Sequence, residues 1–168
     1  MKRSIYKELL MWKENTDRKP LILEGARQVG KTWILKEFGT NEYKKTAYIN
    51  CDNNPLLNGI FIDFDIDRII RVLSAITEVN ITEKDTLIII DEIQELPKGL
   101  TALKYFAESE RDYHVAVAGS LLGLQIHEGT GFPVGKADEL YLHPMSFQEF
   151  LTALDKEIMV KQINTYKK

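Results

Sequence analysis

The stretch that decides the fold is Leu21-Ile-Leu-Glu-Gly-Ala-Arg-Gln-Val-Gly-Lys-Thr-Trp33. Its apolar beginning, Leu21 to Leu23, predicts a short buried strand. The strand runs into a loop with the spacing Gly-x-x-x-x-Gly-Lys-Thr, and Trp33 to Phe38 continues as a helix that we expect to end at Gly39. A strand, a glycine loop and a helix in this order form the context in which the spacing binds phosphate. The stretch therefore predicts a phosphate-binding loop.

The chemistry of the loop follows from its residue types. Gly25 and Gly30 allow the backbone to curl so that successive N–H groups point at an anion. The helix that begins near Lys31 adds unpaired N–H groups and the positive end of its dipole. We expect the Lys31 ammonium to reach the β- and γ-phosphates as a point charge, and the Thr32 hydroxyl to bind Mg²⁺. The predicted nucleotide-binding residues are Gly25, Ala26, Arg27, Gln28, Val29, Gly30, Lys31, Thr32 and Trp33.

Two residues inside the loop keep alternative roles. Arg27 and Gln28 are predicted either to contact phosphate or a neighbouring subunit, or to face solvent. The alternative for the whole loop is a plain glycine turn with a solvent-facing lysine. The strand and helix on either side favour phosphate binding, because that function requires both.

A metal and water site is predicted at the end of another strand. Thr86 to Ile90 is an uninterrupted β-branched and leucine run, which is typical of a central parallel strand buried on both faces. Asp91 follows at its carboxyl end, where such sheets bind ligands, and we expect it to hold Mg²⁺ opposite Thr32. Glu92 is then placed to act as general base for a water molecule. These carboxylates could also merely end a strand, but together with the phosphate loop they form both halves of one mechanism.

The same segment discriminates between nucleotides and reactions. The residues after Asp91 do not form Asp-x-x-Gly, and the chain has no Asn-Lys-x-Asp sequence, so GTP hydrolysis is not favoured. A carboxylate beside the metal ligand favours water as the nucleophile. The strand His114 to Ala118 ends in Gly119-Ser120, and Ser120 is expected to contact the γ-phosphate or the water, or to be an ordinary turn serine. The sequence thus predicts catalytic roles for Lys31, Glu92 and Ser120, with ATP and Mg²⁺ as cofactors.

Strands and helices alternate along the remaining sequence. A leading helix is predicted from about residue 4 to 12, a helix capped by Asp67 extends to Val79, and Ser146 to Glu149 form a capping box. Further strands are predicted at 46–51 and 139–142, and a helix at 98–108. This alternation predicts an α/β domain over residues 1–168, with a mostly parallel sheet between two layers of helices.

Composition bounds the class of protein. The chain has 168 residues, a net charge of −3 and one cysteine, Cys51. These values do not favour whole-surface binding to nucleic acid or lipid, and one cysteine agrees with a reducing compartment. No apolar run has membrane-spanning length and the amino terminus has no signal-peptide pattern, so we expect a cytoplasmic protein without membrane contact.

With these residues, the chain resembles the AAA+ branch of P-loop ATPases. Within that branch it is similar to bacterial and archaeal predicted ATPases whose loop is Gly-Ala-Arg-Gln-Val-Gly-Lys-Thr. The matching segments are 25–32, 87–94 with Pro97, 118–120, 132–135 and 144–150. The resemblance implies a three-layer fold of five parallel strands, with the phosphate-loop strand in the middle and the Asp91 strand not adjacent to it. It also implies that Glu92 is the catalytic base and that Ser120 is the first sensor.

The resemblance further implies parts outside this chain. Such proteins continue with a helical lid and often a nuclease-like C-terminal domain, through which nucleic acid would be reached. For an arginine finger across the nucleotide edge, many relatives place Gly-Arg before the last strand, where this sequence has Gly135-Lys136. Arg111 is the other candidate cation, and its favoured alternative is a solvated charge at a helix end. The expected function is a Mg²⁺-dependent ATPase that moves attached domains. The alternatives are a nucleotide-gated switch with little turnover and the ATPase part of a DNA-processing protein.

Overall fold

Strands and helices alternate along the chain, as the sequence predicts. A computed structural model describes residues 3–57, 59–96, 98–119, 133 and 135–166. The strands are β1 (Leu21–Glu24), β2 (Lys45–Asn50), β3 (Thr86–Asp91), β4 (His114–Ala118) and β5 (Asp138–Tyr141). The α-helices in this part of the chain are α1 (Tyr6–Glu14), α2 (Lys31–Glu42), α3 (Ile66–Thr77), α4 (Gly99–Glu108), α5 (Phe147–Ala153) and α6 (Glu157–Tyr166). Two short 3₁₀ turns lie at Pro55–Leu57 and Ile93–Glu95.

The five strands form one parallel sheet in the order β2-β3-β4-β1-β5. This confirms the predicted α/β class and the separation of the Asp91 strand from the phosphate-loop strand, because β4 lies between β3 and β1. The expectation that the phosphate-loop strand occupies the middle is wrong, since β4 does. The chain crosses from β1 to β2 at the far edge, then fills the gap with β3 and β4, and only β5 is added outside β1.

Side-chain alternation along the strands creates two cores, one on each face of the sheet. Leu21 and Leu23 of β1 face the layer of α1 and α2, where they pack with Leu35 and Phe38. Ile22 faces the other layer, which contains α3 and α4. Strand β3 is buried along its whole length, as predicted for a strand covered on both faces. The sheet therefore has a helical layer on each face, which is the predicted three-layer arrangement.

Two local predictions are corrected by packing and by capping geometry. Gly39 does not end α2 but lies inside it, where an added Cβ would be 2.5 Å from the Thr46 hydroxyl oxygen. This glycine therefore permits a close approach of α2 to β2. Asp65, and not Asp67, caps α3, because the Asp65 carboxylate accepts a hydrogen bond of 3.0 Å from the Arg68 backbone N–H.

The carboxyl-terminal helices follow β5 directly. The predicted capping box is present at the start of α5: the Ser146 hydroxyl accepts from the Glu149 backbone N–H, and Glu149 accepts from that of Ser146. Among the helices that the structure describes, none combines the length and the apolar character needed to cross a bilayer.

Candidate active site

The phosphate loop leaves β1 and enters α2 through two glycines with positive φ angles. Gly25 has φ 149° and Gly30 has φ 98°, values that side chains with a Cβ rarely adopt. A Cβ on Gly25 would also lie 2.4 Å from the Leu142 carbonyl oxygen. Gly30 precedes the first helical residue, Lys31, and offers no side-chain cap to the first N–H groups of α2. The loop thus lies between β1 and the start of α2, where the unpaired N–H groups of a helix favour an anion.

Lys31 is held within this loop. Its ammonium donates to the carbonyl oxygens of Gly25 at 2.9 Å and Ala26 at 2.8 Å, and the residue is only 8% exposed. Burial lowers the pKa of Lys31, while the nearby carboxylates of Glu92 and Asp91 oppose that shift. The Lys31 ammonium therefore also ties the loop to itself.

The two predicted metal ligands meet although one lies at the start of α2 and the other at the end of β3, a strand that does not neighbour β1. The Thr32 hydroxyl donates to Asp91 Oδ2 at 2.6 Å. Asp91 is the last residue of β3 and is 4% exposed. The Tyr48 hydroxyl, from β2, donates to the same Oδ2 at 3.2 Å. A hydroxyl and a carboxylate converging at one point form an all-oxygen donor set, which fits Mg²⁺.

Glu92 lies in a tight turn just after β3. Its backbone is left-handed, with φ 53° and ψ 44°, and its N–H donates to Asp91 Oδ1 at 3.2 Å. A non-glycine residue in this region carries backbone strain, and such strain is concentrated at functional sites. The 3₁₀ turn that follows brings Gln94 back, so that its Nε2 donates to Glu92 Oε2.

These side chains surround one cavity of about 760 Å³. That volume lies within the usual range of small-molecule sites, about 300 to 1,000 Å³. Six of the predicted nucleotide-binding residues line it: Arg27, Gln28, Gly30, Lys31, Thr32 and Trp33. Asp91 and Glu92 line it as well, whereas Gly25, Ala26 and Val29 do not. Ser120 lies outside the described residues, so its role stays a prediction.

Sequence reasoning missed five residues that border this cavity: Tyr48, Asn50, Asp52, Gln94 and Glu95. Tyr48 and Asn50 lie on β2, which pairs with β3 so that Asn50 is opposite Asp91. Polar or amphipathic side chains near the carboxyl end of a strand were a signal, but its use requires knowing that β2 neighbours β3. Gln94 lies in segment 87–94, which carries the family resemblance, but the sequence analysis assigned it no role.

Arg3 is a further residue that supports the loop from outside the predicted site. It is 6% exposed, and its guanidinium donates to the Val29 carbonyl oxygen at 3.3 Å and to the His143 carbonyl oxygen at 2.7 Å. Its Nε lies 3.3 Å from Glu149 Oε1. Burial alone would raise the pKa of Glu149, but hydrogen bonds from Ser4 and Ser146 and the charge of Arg3 lower it to about 2. Arg3 thereby connects the phosphate loop to the start of α5.

The two candidate finger cations lie at the opposite edge of the sheet, where the strands begin. Arg111, before β4, is 3.2 Å from Glu83 and 3.9 Å from Asp67. Lys136, before β5, is 3.1 Å from Glu108. Neither residue lines the cavity of its own chain.

A parallel sheet with a glycine loop leading into a helix, and a threonine–aspartate pair at its carboxyl edge, defines a P-loop nucleotide-binding domain. The sequence matches the family described as AAA domain over residues 17–151, most of its length, and the chain belongs to that family. It is thus a nucleotide-binding module of the ATPase type. No curated protein matches the sequence.

Two solved structures share the fold. A Walker-type ATPase of Pyrococcus abyssi has a TM-score of 0.55 at 19% identity, over 91% of this chain and 57% of that one. The ORC2 protein of Aeropyrum pernix, described in ADPNP–ADP complexes, has a TM-score of 0.51 at 17% identity, over 93% of this chain and 49% of that one. At these identities the likeness concerns the fold, and the chain spans about half the length of either neighbour.

Proposed function

We propose that the chain binds ATP with Mg²⁺ and hydrolyses it, and that the cycle drives rearrangement of attached domains. The observation that carries this proposal is the contact of 2.6 Å between the Thr32 hydroxyl and Asp91 Oδ2. It brings the phosphate loop and the carboxyl end of β3 to one point of a cavity that Lys31 and Glu92 also line.

Each residue contributes a distinct interaction with ATP. The Lys31 ammonium exchanges the Gly25 and Ala26 carbonyl oxygens for β- and γ-phosphate oxygens, which carry more negative charge. The N–H groups at the start of α2 donate to the same phosphates. Thr32 and Asp91 would hold Mg²⁺, whose charge neutralises the triphosphate and stabilises the transferred phosphoryl group.

Glu92 supplies the base. As the water oxygen forms a bond to the γ-phosphorus, one water proton passes to the Glu92 carboxylate. The bond from the γ-phosphorus to the bridging oxygen breaks, and its electron pair leaves with ADP. The products are ADP and inorganic phosphate. By family resemblance, Ser120 would hydrogen-bond the γ-phosphate or the water.

Fast turnover on this proposal needs a second copy. Arg111 and Lys136 border the amino edge of their own sheet, so either cation would reach a nucleotide only across an interface. A missing finger lowers the rate by roughly 10³- to 10⁵-fold. We therefore propose self-association through the nucleotide edge and slow hydrolysis by a single copy. The proposal also includes a cytoplasmic location. Contact with nucleic acid would be made only through attached domains.

The second candidate is a nucleotide-gated switch with little turnover. It is favoured by the ion pairs that hold the candidate finger cations Arg111 and Lys136. A third candidate, the ATPase part of a DNA-processing protein, rests on family resemblance alone.

Steady-state phosphate release separates hydrolysis from switching. We expect Glu92→Gln in the full chain to lower the Mg²⁺-dependent rate by about 10²-fold or more, because a positioned general base contributes about 10² to 10⁴. Glu95→Gln is the matched control, since Glu95 is exposed and borders the same cavity. Equal rates for the wild-type chain and Glu92→Gln, with ATP still retained, would support the switch instead.

A further inference from the structure

The side chain of Gln94 contacts the carboxylate of Glu92. Gln94 follows β3 by three positions on the 3₁₀ turn Ile93–Glu95, is partly buried, and borders the cavity that contains the phosphate loop. Its amide nitrogen donates to Glu92 Oε2. Because Glu92 has a left-handed backbone, the turn folds this amide back toward the carboxylate instead of away from it.

The carbonyl half of the same amide has no hydrogen-bond partner among the residues that the structure describes. Gln94 Oε1 is buried and accepts no hydrogen bond from the described atoms. Only two other buried side-chain atoms in the described residues share this property, Arg18 Nε and His114 Nε2, and neither residue borders this cavity. A buried acceptor without a partner is costly, so in native structures such groups are paired with protein or ordered water.

Two other polar side chains at the cavity each have a hydrogen bond elsewhere. The Tyr48 hydroxyl donates to Asp91, and Asn50 Oδ1 accepts from the Asp52 backbone N–H at 2.9 Å. A water molecule beside Glu92 has two protons to donate. The Glu92 carboxylate can accept one, and the Gln94 carbonyl oxygen is the unused acceptor beside it.

We infer that Gln94 orients the attacking water together with Glu92. Its NH₂ group fixes the rotamer of the Glu92 carboxylate, and its carbonyl oxygen accepts the water proton that Glu92 does not. The water therefore directs a lone pair at the γ-phosphorus. Its other proton passes to Glu92, as in the hydrolysis step proposed above. This role rests on the proposed hydrolysis and assigns a second residue to it.

The test compares three variants of the full chain in two measurements. Gln94→Leu removes both hydrogen-bonding groups at similar size, Gln94→Glu keeps acceptors but loses the donor, and Glu95→Gln is the control on the same turn. The first measurement is phosphate release. The second is retention of ADP alone and of ADP with aluminium fluoride, because an analogue of the transition state reports contacts made during water attack.

We expect both Gln94 variants to release phosphate about 10- to 100-fold more slowly, the usual effect of losing a hydrogen bond to a charged group. Retention of ADP with aluminium fluoride should weaken by a similar factor, and retention of ADP alone should stay within about twofold. Gln94→Glu guards against a folding defect in Gln94→Leu, and thermal melts of both variants check the fold.

The outcomes separate this role from the proposed function. If both Gln94 variants match the wild-type rate while Glu92→Gln is slower, hydrolysis stands and the role of Gln94 is overturned. A parallel loss of ADP and of the aluminium fluoride complex would make Gln94 a structural residue and would equally overturn it. If the wild-type chain is no faster than Glu92→Gln, the proposed hydrolysis falls, and the role of Gln94 with it.

Discussion

The two edges of the same sheet each carry buried polar groups, but only one edge is built like a binding site. At the carboxyl edge, Lys31, Thr32, Asp91 and Glu92 border a cavity of about 760 Å³. At the amino edge, the buried His114 meets Tyr43 and faces Asp112. A cavity of about 190 Å³ borders Asp112, but neither His114 nor Tyr43 lines it.

The amino edge pairs buried groups with each other, although His114 Nε2 and Arg18 Nε have no hydrogen bond among the described atoms. The Tyr43 hydroxyl and His114 Nδ1 are 2.7 Å apart, and the two rings pack edge to face with centroids 5.3 Å apart. Burial lowers the pKa of His114 to about 4 and raises the pKa of Tyr43 above its ordinary value. Arg18 and Asp112 form an ion pair beside them.

A perturbed pKa therefore does not by itself identify a functional site in this molecule. The largest shift at the amino edge comes from burial of groups that pack against each other. At the carboxyl edge, burial likewise lowers the pKa of Lys31 and raises the pKa of Tyr48, but these side chains come from separate elements and converge on open space. Convergence on a cavity, more than burial, distinguishes the candidate active site.

The substitution Lys31→Ala should show the largest difference in ATP affinity between a variant at the carboxyl edge and its control at the amino edge. We expect it to lower ATP affinity by at least about 100-fold, because it removes a charge-assisted contact to two phosphates. Lys44→Ala is the matched control, since Lys44 is an exposed lysine that pairs with Asp85 where the strands begin. The measurement is titration with a fluorescent ATP analogue, with a thermal melt to check the fold.

The fold of Lys31→Ala should persist despite the lost contacts to Gly25 and Ala26, because these contacts lie within the loop and outside both cores. Retained nanomolar-range affinity in this variant would contradict the role of Lys31. Equal losses in Lys31→Ala and Lys44→Ala would show that the effect is not specific to the carboxyl edge.

Acid should act on the amino edge through His114. Its pKa is about 4 when folded and about 6.5 when unfolded, so the unfolded chain takes up the proton first as pH falls. The free energy of unfolding should not depend on His114 above pH about 6.5. It should decline below that pH, toward pH about 4, by at most about 1.4 kcal/mol per pH unit.

Urea unfolding between pH about 7 and 5 measures the contribution of His114 to the free energy of unfolding. That pH range lies above the ordinary pKa values of carboxylates, so they contribute little to the slope. Arg18, Lys13 and Lys84 disfavour the charged imidazole and Asp112 favours it, after burial as the main cause. His114→Phe should remove most of the slope. An unchanged slope in that variant would assign the acid sensitivity to other groups.

The sequence predicted the carboxyl edge better than the amino edge for a physical reason. The phosphate loop and the Asp91–Glu92 pair are local patterns, and both follow apolar runs that can only be buried strands. Parallel strands end at the same edge, so these patterns had to lie near each other wherever the strands were ordered. The Tyr43–His114 contact joins residues 71 positions apart and has no local pattern.

What the sequence could not provide depended on long-range packing or on unusual backbone angles. The place of β1 beside the edge strand depends on crossovers, and the role of Gly39 depends on how closely α2 approaches Thr46. Tyr48 became recognisable only once β2 was known to pair with β3. Gln94 reaches Glu92 because of a left-handed turn that residue types alone do not indicate.

Tyr43→Phe and its matched variant Tyr48→Phe should produce the smallest effects and the clearest separation of the edges. Tyr43→Phe removes the hydroxyl that contacts His114 Nδ1, leaving a buried nitrogen without a partner, at a cost of about 1 to 2 kcal/mol in unfolding free energy. ATP affinity should stay within about twofold, because Tyr43 does not border the nucleotide cavity.

Tyr48→Phe is the matched variant at the other edge, where the hydroxyl lost is the one that donates to Asp91. It should weaken Mg²⁺-dependent ATP binding by several-fold, about 1 kcal/mol. If both tyrosine variants changed stability and ATP binding alike, the two edges would not be functionally distinct.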